Sequence, residues 1–392
     1  MNLTRLFGQG IHRQGEYLAS LDGWRAVAIL LVLLGHSMED LAAWAQQMGA
    51  TIDLLSLKYI GMHGVHIFFG LSGFLITSKL IADEQKHGRI SLWGFYIRRT
   101  FRILPATLFF LFAVGALALA GVLDVTLGRW LSSLLFSANY STADYSWYLG
   151  HFWSLAVEEH FYLIWPAVFL WLGVLRRRLG WAIAAAMTVA VWRVIDFKFQ
   201  ITGATPAMFL GRTDIQVDHI IWGVIIALAY ADPAYRPSLQ RVLSNPSVGV
   251  LLLLALAGML LIPDVDWKLK FALYTVHGLV VPLAILSTYL NTRGRVSQFL
   301  ELPLMRLIGR LSFSLYLWQQ LFFVWQAHRV PELAVLQVFP GNVVAVLVCA
   351  MISFWLIEEP FIALGRKILK RWPAWKRSSG PELPVVQSPN KA

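Results

Sequence analysis

An all-α membrane protein with several transmembrane helices is the fold class the sequence predicts, on three observations. Of 392 residues, 57% are hydrophobic and only 14% charged, whereas soluble domains run at about 45–50% and about 25%. Mean hydropathy is +0.61, with the apolar residues gathered into runs that suit a hydrocarbon layer of roughly 30 Å. Lysine and arginine fall between those runs in alternate loops, the pattern that orients membrane spans.

A span needs roughly 20 mostly apolar residues, and about ten helices are expected on that measure. They lie near Trp24–Met38, Gly64–Ile81, Ile103–Val122, Phe152–Leu172, Trp181–Ile195, Ile215–Tyr230, Val248–Ile262, Phe271–Leu290, Leu307–Val324 and Val338–Ile357. The basic loops hold Lys79, Lys86, Arg89, Arg98, Arg99 and Arg102; then Arg176, Arg177 and Arg178; Arg236 and Arg241; Arg293, Arg295, Arg306 and Arg310; and a closing group from Arg366 to Arg377. The intervening loops are poorer, with Asp40, Asp53 and Lys58 in one and Asp264, Asp266, Lys268 and Lys270 in another. Positive loops stay inside, so both termini are expected in the cytoplasm and the number of spans is expected to be even. The chain is expected to be a multi-pass protein of the plasma (cytoplasmic or inner) membrane.

The same arithmetic excludes other classes. With 17 Trp, 24 Phe and 12 Tyr the chain holds too much apolar side chain to stay disordered. A net charge of +11 sits between hydrophobic runs and not on a basic face with exposed aromatics, which argues against nucleic acid. The single Cys349 offers no intrachain disulfide and no thiolate metal cluster. Neither G-x-G-x-x-G nor a P-loop is present, against an ATP-driven pump. Residues 1–20 lack an apolar core and cleavage site and read as a cytoplasmic N-terminal segment, 21–365 as one transmembrane domain, and 366–392 as a basic, disordered cytoplasmic tail.

Ionisable groups in hydrocarbon are costly, so each is a functional candidate. In LDGWRAVAILLVLLGHS, Arg25 and His36 are eleven residues apart, roughly 20° from three whole turns and about 16 Å along a helix axis. They share a face, so one groove can hold an anion at one end and do proton chemistry at the other; the plainer reading is a snorkelling arginine and a packing histidine. In GHFWSLAVEEHFYLIWP, His151, Ser154, Glu158 and Tyr162 form one helical stripe while Glu159 points elsewhere. Glu158 is expected within reach of His36, where a carboxylate orients an imidazole; a helix-packing network is the alternative. Arg99 and Arg102, with Arg98 beside them in FYIRRTFRILP, can grip phosphates or serve only as positive-inside residues. In GRTDIQVDHIIWG, Arg212, Asp214 and Asp218 can bind acceptor hydroxyls, although acidic residues there also suit a helix dipole. His63 and His66 make an HxxH without a third ligand nearby in sequence, so packing or pore lining is expected there and no metal.

These residues resemble the acyltransferase-3 family of integral-membrane acyltransferases, which includes O-antigen and exopolysaccharide O-acetylases. The resemblance rests on R-x10-H at Arg25–His36, on FFGLSGFLIT, on R-x-x-R at Arg99–Arg102, on SLAVEEHFYLIWP, and on GRLSFSLYLWQQ and IEEPF. It implies transfer of an acyl group, usually acetyl, from cytoplasmic acyl-CoA to an outer-face hydroxyl. The resemblance makes His36 the catalytic histidine, Glu158 the fourth-span carboxylate, and Arg25, its motif partner, with Arg99 and Arg102 the donor-binding set; from the residues themselves, His151, Ser154, Arg212, Asp214 and Asp218 are the candidates to meet a carbohydrate acceptor. Acyl-CoA would be a co-substrate; no permanently bound cofactor is expected. Two positions depart from the family pattern: Gln319 follows Trp318 where relatives often have histidine, and His66 stands where an acidic residue is frequent. Relatives often add a soluble hydrolase-like domain; 392 residues are expected to hold the membrane domain alone, leaving later transfer to glycan-assembly partners. The rival class is a proton-coupled or flipping transporter with His36, Glu158 and Asp218 as relay, although paired broken helices and repeated halves are not evident.

Overall fold

The computed structural model describes residues 12–13, 16–17, 19–49, 57, 59–141, 145–204, 209, 211–260, 262 and 267–371. Its helices are α1 (Ala19–Gln47), α2 (Ile60–His87), α3 (Leu92–Leu119), α4 (Leu127–Leu134), α5 (Phe152–Leu172), α6 (Leu175–Phe199), α7 (Thr213–Gln216), α8 (Asp218–Ala231), α9 (Arg236–Leu243), α10 (Pro246–Leu260), α11 (Trp267–Leu290), α12 (Arg295–Leu300), α13 (Pro303–Phe322), α14 (Gly341–Ser353) and α15 (Glu359–Arg371). A π-helical turn, Phe354–Glu358, joins the last two. The only β-structure among the described residues pairs His12–Arg13 with Glu16–Tyr17.

Among the described residues, seven helical stretches are long and apolar enough to cross a bilayer: α1, α2, α3, Trp147–Leu172, α6, Phe271–Leu290 and Gly341–Arg371. An eighth is possible only if α9 and α10, bent by 80° at their junction, act as one span. The expected count of about ten is not reached on this measure. The run predicted at Val248–Ile262 begins after the break at Asn245 and Pro246, α8 has only 14 residues, and α13 carries Arg306, Arg310, Gln319 and Gln320. The chain is nonetheless a multi-pass membrane protein. The boundary expected at 366 also shifts, because α15 runs on to Arg371 with Lys370 and Arg371 in its last turn, where cations suit the helix dipole. Residues 372–392, most of 1–18, and the loop charges Asp53, Lys58, Asp264 and Asp266 lie outside the described residues, as do the side chains of Lys268 and Lys270.

Helix α1 sits at the centre of the packing, against α2 on one side and α13 on another, while α2 also lies along α8. These contacts are backbone to backbone. A Cβ at Gly309 of α13 would stand 1.8 Å from the Asp22 carbonyl of α1, one at Gly73 of α2 would stand 1.9 Å from the Ile220 carbonyl of α8, and one at Gly223 of α8 would stand 2.3 Å from the Gly70 carbonyl. Lipid tails are as apolar as leucine, so helices in a membrane associate through close fit, which small residues allow.

Local signals place the site-bearing ends. Helix α2 stops at Gly88, whose φ of 67° disfavours any residue with a Cβ. Ser91 Oγ then accepts from Gly94 N at 3.0 Å, the side-chain cap that starts α3. This short turn sets Arg98, Arg99 and Arg102 in the first turns of α3 beside the end of α2.

Substituting Gly73 by valine is expected to push α2 off α8 and cost on the order of 1–3 kcal/mol, seen as a lower unfolding midpoint in detergent. Gly180→Ala on α6, where a Cβ meets open space, should leave the midpoint unchanged.

Candidate active site

Arg25 and His36 lie on one unbroken helix, α1, and so share a face about 16 Å apart along its axis. His36 is turned into the protein. Its ring stands edge-on to Trp147 with centroids 5.6 Å apart, the Gln319 side chain meets it, and Nδ1 is buried without a hydrogen-bond partner among the described residues. His151 lies within electrostatic reach of His36. It is buried between Phe110 and Tyr316, at ring separations of 5.4 and 5.6 Å, and neither ring nitrogen has a partner among the described residues. Ser154 Oγ bonds the Tyr316 hydroxyl and donates to the His151 carbonyl at 3.0 Å, so it braces the histidine's own backbone.

The turn that presents Trp147 is fixed from several sides. Arg129 donates to the carbonyls of Ala138 at 3.1 Å and Leu149 at 3.2 Å, and the Tyr148 hydroxyl donates to the His328 carbonyl at 2.6 Å. The His328 segment is in turn held to α1, because Arg329 pairs with Asp40 and the Gln326 amide donates to Glu39 at 2.5 Å. Two irregular segments thus roof the His36 end.

At the opposite end, Arg25 pairs with Asp22 at 3.1 Å. Arg99 lies 3.6 Å from Glu158 and 3.9 Å from Glu159, with its guanidinium 3.2 Å above the centre of the Tyr162 ring. Arg102 is exposed, has no carboxylate within ion-pair distance among the described residues, and feels Arg25, Arg99, Glu358 and Asp22. Two expectations are corrected here. Glu158 does not orient His36: its carboxylate accepts from Ser72 at 3.0 Å and from Tyr162, and seven residues on a helix put it about 10 Å below His151. Glu159 does not point elsewhere, since it faces the same guanidinium as Glu158.

Residues with no assigned role in the sequence join this end. Lys79 of α2 lies within electrostatic reach of Arg98 and Arg102, and Glu358, in the π-helical turn, is buried against the Ser314 hydroxyl. A π-turn shifts side chains by part of a turn and often marks a functional position. Helical periodicity does not reveal such a shift, and the adjacent Glu359 pairs instead with Arg310 at 3.3 Å.

Arg212, Asp214 and Asp218 are not open to a ligand as expected. Arg212 pairs with Asp196 at 3.1 Å and Asp214 at 2.5 Å; Asp214 also accepts from Trp192 at 2.7 Å and Tyr140 at 3.0 Å. Asp218, wholly buried, pairs with Arg193 of α6. Apart from the neighbouring Arg212–Asp214 pair, these partners stand sixteen to seventy-four positions away in sequence, out of reach of a local reading. The HxxH expectation also changes: His219 and His277 come beside His66, each with a nitrogen within 4.8 Å of the others.

The acyltransferase domain model of the acyltransferase-3 family matches residues 18–359. The chain belongs to that family. A provisionally named O-acetyltransferase of Staphylococcus aureus (strain COL) is 26% identical over 396 residues, covering 96% of this chain and 62% of that protein. The O-acetyltransferase OatA of Staphylococcus aureus (strain NCTC 8325) is 26% identical over 380 residues, covering 92% and 60%. The chain thus spans about three fifths of the length of these relatives. No solved structure matches it. Within this acyltransferase-3 domain both ends of the Arg25–His36 face fall inside the matched region, and Gln319, the departure from the family pattern, is the residue whose side chain meets His36.

Breaking a buried ion pair from one side leaves the other charge uncompensated, at about 3–5 kcal/mol. Asp218→Asn should therefore lower the unfolding midpoint far more than Arg98→Ala, whose partner Asp83 is 3.5 Å away across a half-exposed pair. Differential scanning fluorimetry of the two purified variants checks the order; equal midpoints would refute it.

Proposed function

We propose that the protein is a membrane O-acyltransferase. It takes an acyl group, acetyl in the first instance, from cytoplasmic acyl-CoA and delivers it to a hydroxyl of a glycan or glycoside at the outer face of the plasma membrane. The observation that carries this reading is the single face of α1 with a cluster of guanidinium groups at one end and an inward-turned imidazole at the other.

The donor phosphates would dock at Arg102, Lys79 and Arg98, with Arg99 and Arg25 completing a cationic rim. Phosphate oxygens gain most from bidentate guanidinium contacts. Arg102 is the free member of this set, whereas Arg99 is already committed to Glu158 and Glu159. The role left to Glu158 is to hold Arg99 in place through the pair and the Tyr162 ring.

At the other end, neutral His36 would take the proton of the acceptor hydroxyl as general base. The oxygen then attacks the thioester carbonyl, the carbon–sulfur bond breaks, and the imidazolium returns the proton to the departing thiolate. Gln319 would position the ring, and His151, with both nitrogens open, would meet the acceptor. Attack by His36 itself, giving an acyl-histidine, uses the same groups; labelled acetyl retained on protein in the absence of acceptor would favour that route over direct transfer. The provisional and established O-acetyltransferase names of the relatives support acetyl as the group moved.

His36→Ala, in membranes where folded protein persists, is expected to reduce acetyl transfer by about 10²–10⁴-fold. Undiminished acetylation would remove His36 from the mechanism. Arg102→Ala should raise the apparent KM for acetyl-CoA about tenfold with turnover little changed, the signature of lost ground-state binding. A loss confined to turnover counts against the donor assignment. Comparing the masses of surface glycans from deleted and complemented cells identifies the acceptor.

A further inference from the structure

A second group of buried titratable side chains lies away from the α1 groove. Gly61 and Gly64 of α2 face α1, with Cβ positions against Gly35 and Ala28. His66, two residues beyond Gly64 and so about 200° round the helix, faces the other way, toward α8 and α11. There it meets His219 at the start of α8 and His277 of α11. The His66 and His219 rings are stacked at 3.8 Å, and His277 stands 5.2 Å from His66 and 6.2 Å from His219. His63 follows one turn before His66, its ring 4.8 Å from that of His277.

Imidazoles in this number are expensive to bury without use. Each neutral ring brings one donor and one acceptor, which burial cuts off from water. His219 Nε2, His277 Nδ1 and His63 Nδ1 are nevertheless buried with no hydrogen-bond partner among the described residues, while His66, His219 and His277 are 2%, 1% and 3% exposed. One nitrogen from each of those three lies within 4.8 Å of the others.

The surroundings are those of a ligand set. A metal-bound histidine uses one nitrogen for the ion and commits the other to a carboxylate or amide that fixes its orientation. His219 Nδ1 lies 3.3 Å from Asp218 Oδ1, near that carboxylate without a hydrogen bond to it, Asp218 is itself anchored by Arg193, and His219 Nε2 has no partner among the described residues. His66 Nε2 lies 3.2 Å from Gln216 Oε1.

We propose that His66, His219 and His277 form a binding site for a late first-row divalent cation of the zinc class, with His63 placed to serve as a fourth ligand. The all-nitrogen donor set suits zinc, copper or nickel and disfavours magnesium and calcium. Zinc–nitrogen bonds of about 2.0–2.1 Å set ligand nitrogens roughly 3.3 Å apart, so binding would draw the three rings inward by side-chain rotation on the order of 1 Å. The ion would fasten α2, α8 and α11 together. The inference does not depend on the acyl-transfer reading, because these residues lie across α2 from His36.

The test uses the full chain, purified in detergent on a tag free of histidine, exposed to Zn²⁺ or Co²⁺ and desalted. About one equivalent of zinc by elemental analysis, and visible d–d absorption of the cobalt form, are expected. A double variant, His219→Ala with His277→Ala, should hold less than about a tenth of that metal while eluting as the same monodisperse species. X-ray absorption of the zinc-loaded wild type reads the ligands without any variant, and imidazole scattering from three or four rings supports the site. Wild-type protein that retains no zinc and shows no cobalt band overturns the proposal. So does metal that persists undiminished in the folded double variant, or a zinc spectrum without imidazole.

Discussion

A charged or hydrogen-bonding side chain inside an apolar bundle must bring its own partner, and this constraint organises the whole protein. Arg193 brings Asp218, Arg178 brings Glu84 with two contacts of 2.6 and 2.8 Å, Arg129 brings two carbonyls, and Arg99 brings two carboxylates and an aromatic face. Each closed set fastens helices distant in sequence, so groups costly to bury in lipid become the ties that fix helix position. The glycine contacts act with them: where Gly309 and Gly73 let backbones touch, α1, α2, α8 and α13 cannot slide without breaking polar ties at either end.

The same constraint separates structural polar residues from those left for a ligand. Arg212, Asp214 and Asp218 look like a binding set on one short stretch, yet each is paired with a charged side chain of the protein. His36, His151 and Arg102 differ. Each is held in place by neighbours, through Trp147 and Gln319, through Phe110 and Tyr316, or by the fields of Arg25 and Arg99, and still has a polar atom or a charge that the protein does not satisfy. An unmet buried donor or acceptor, as at His36 and His151, costs about 1–3 kcal/mol, a cost that occupancy by something else offsets, whereas the exposed Arg102 is solvated until a ligand replaces the water.

How far this was legible in the sequence follows from the range of the interactions. Apolar runs and helical phase are local, so α1, α2, α3, α5 and α6 were readable, and so was the common face of Arg25 and His36, because one helix contains both. Partners joined across the bundle were not. The expectation that Glu158 would sit beside His36 rested on depths judged separately on two helices and had no means of knowing that Ser72 and Arg99 lay nearer. His66 looked like half of an incomplete motif for the same reason: its companions stand 153 and 211 positions away, since 219 − 66 and 277 − 66 measure the separations. The helix count suffered from the opposite error, because local hydropathy does not register the bend between α9 and α10 or a polar helix such as α13 that lives among other helices.

The relation between the two ends of α1 then follows from geometry. A straight helix transmits no information by itself, but it fixes a distance, and here that distance separates a cationic rim from an imidazole by about 16 Å. A small acyl donor without a charged tail would gain nothing from the rim, and a phosphate-bearing donor whose reactive carbonyl lay next to its phosphates would never reach the ring. On the proposed function, an extended molecule with an anionic head and a distal thioester would use both ends at once. The roof formed by Trp147 and the His328 segment works in the same direction, because it shields the imidazole from bulk water that would otherwise compete with an acceptor hydroxyl for the activated carbonyl. On the proposed function the stacked Trp147 and His328 rings, 5.3 Å apart, would give an entering acceptor an aromatic face to pack against.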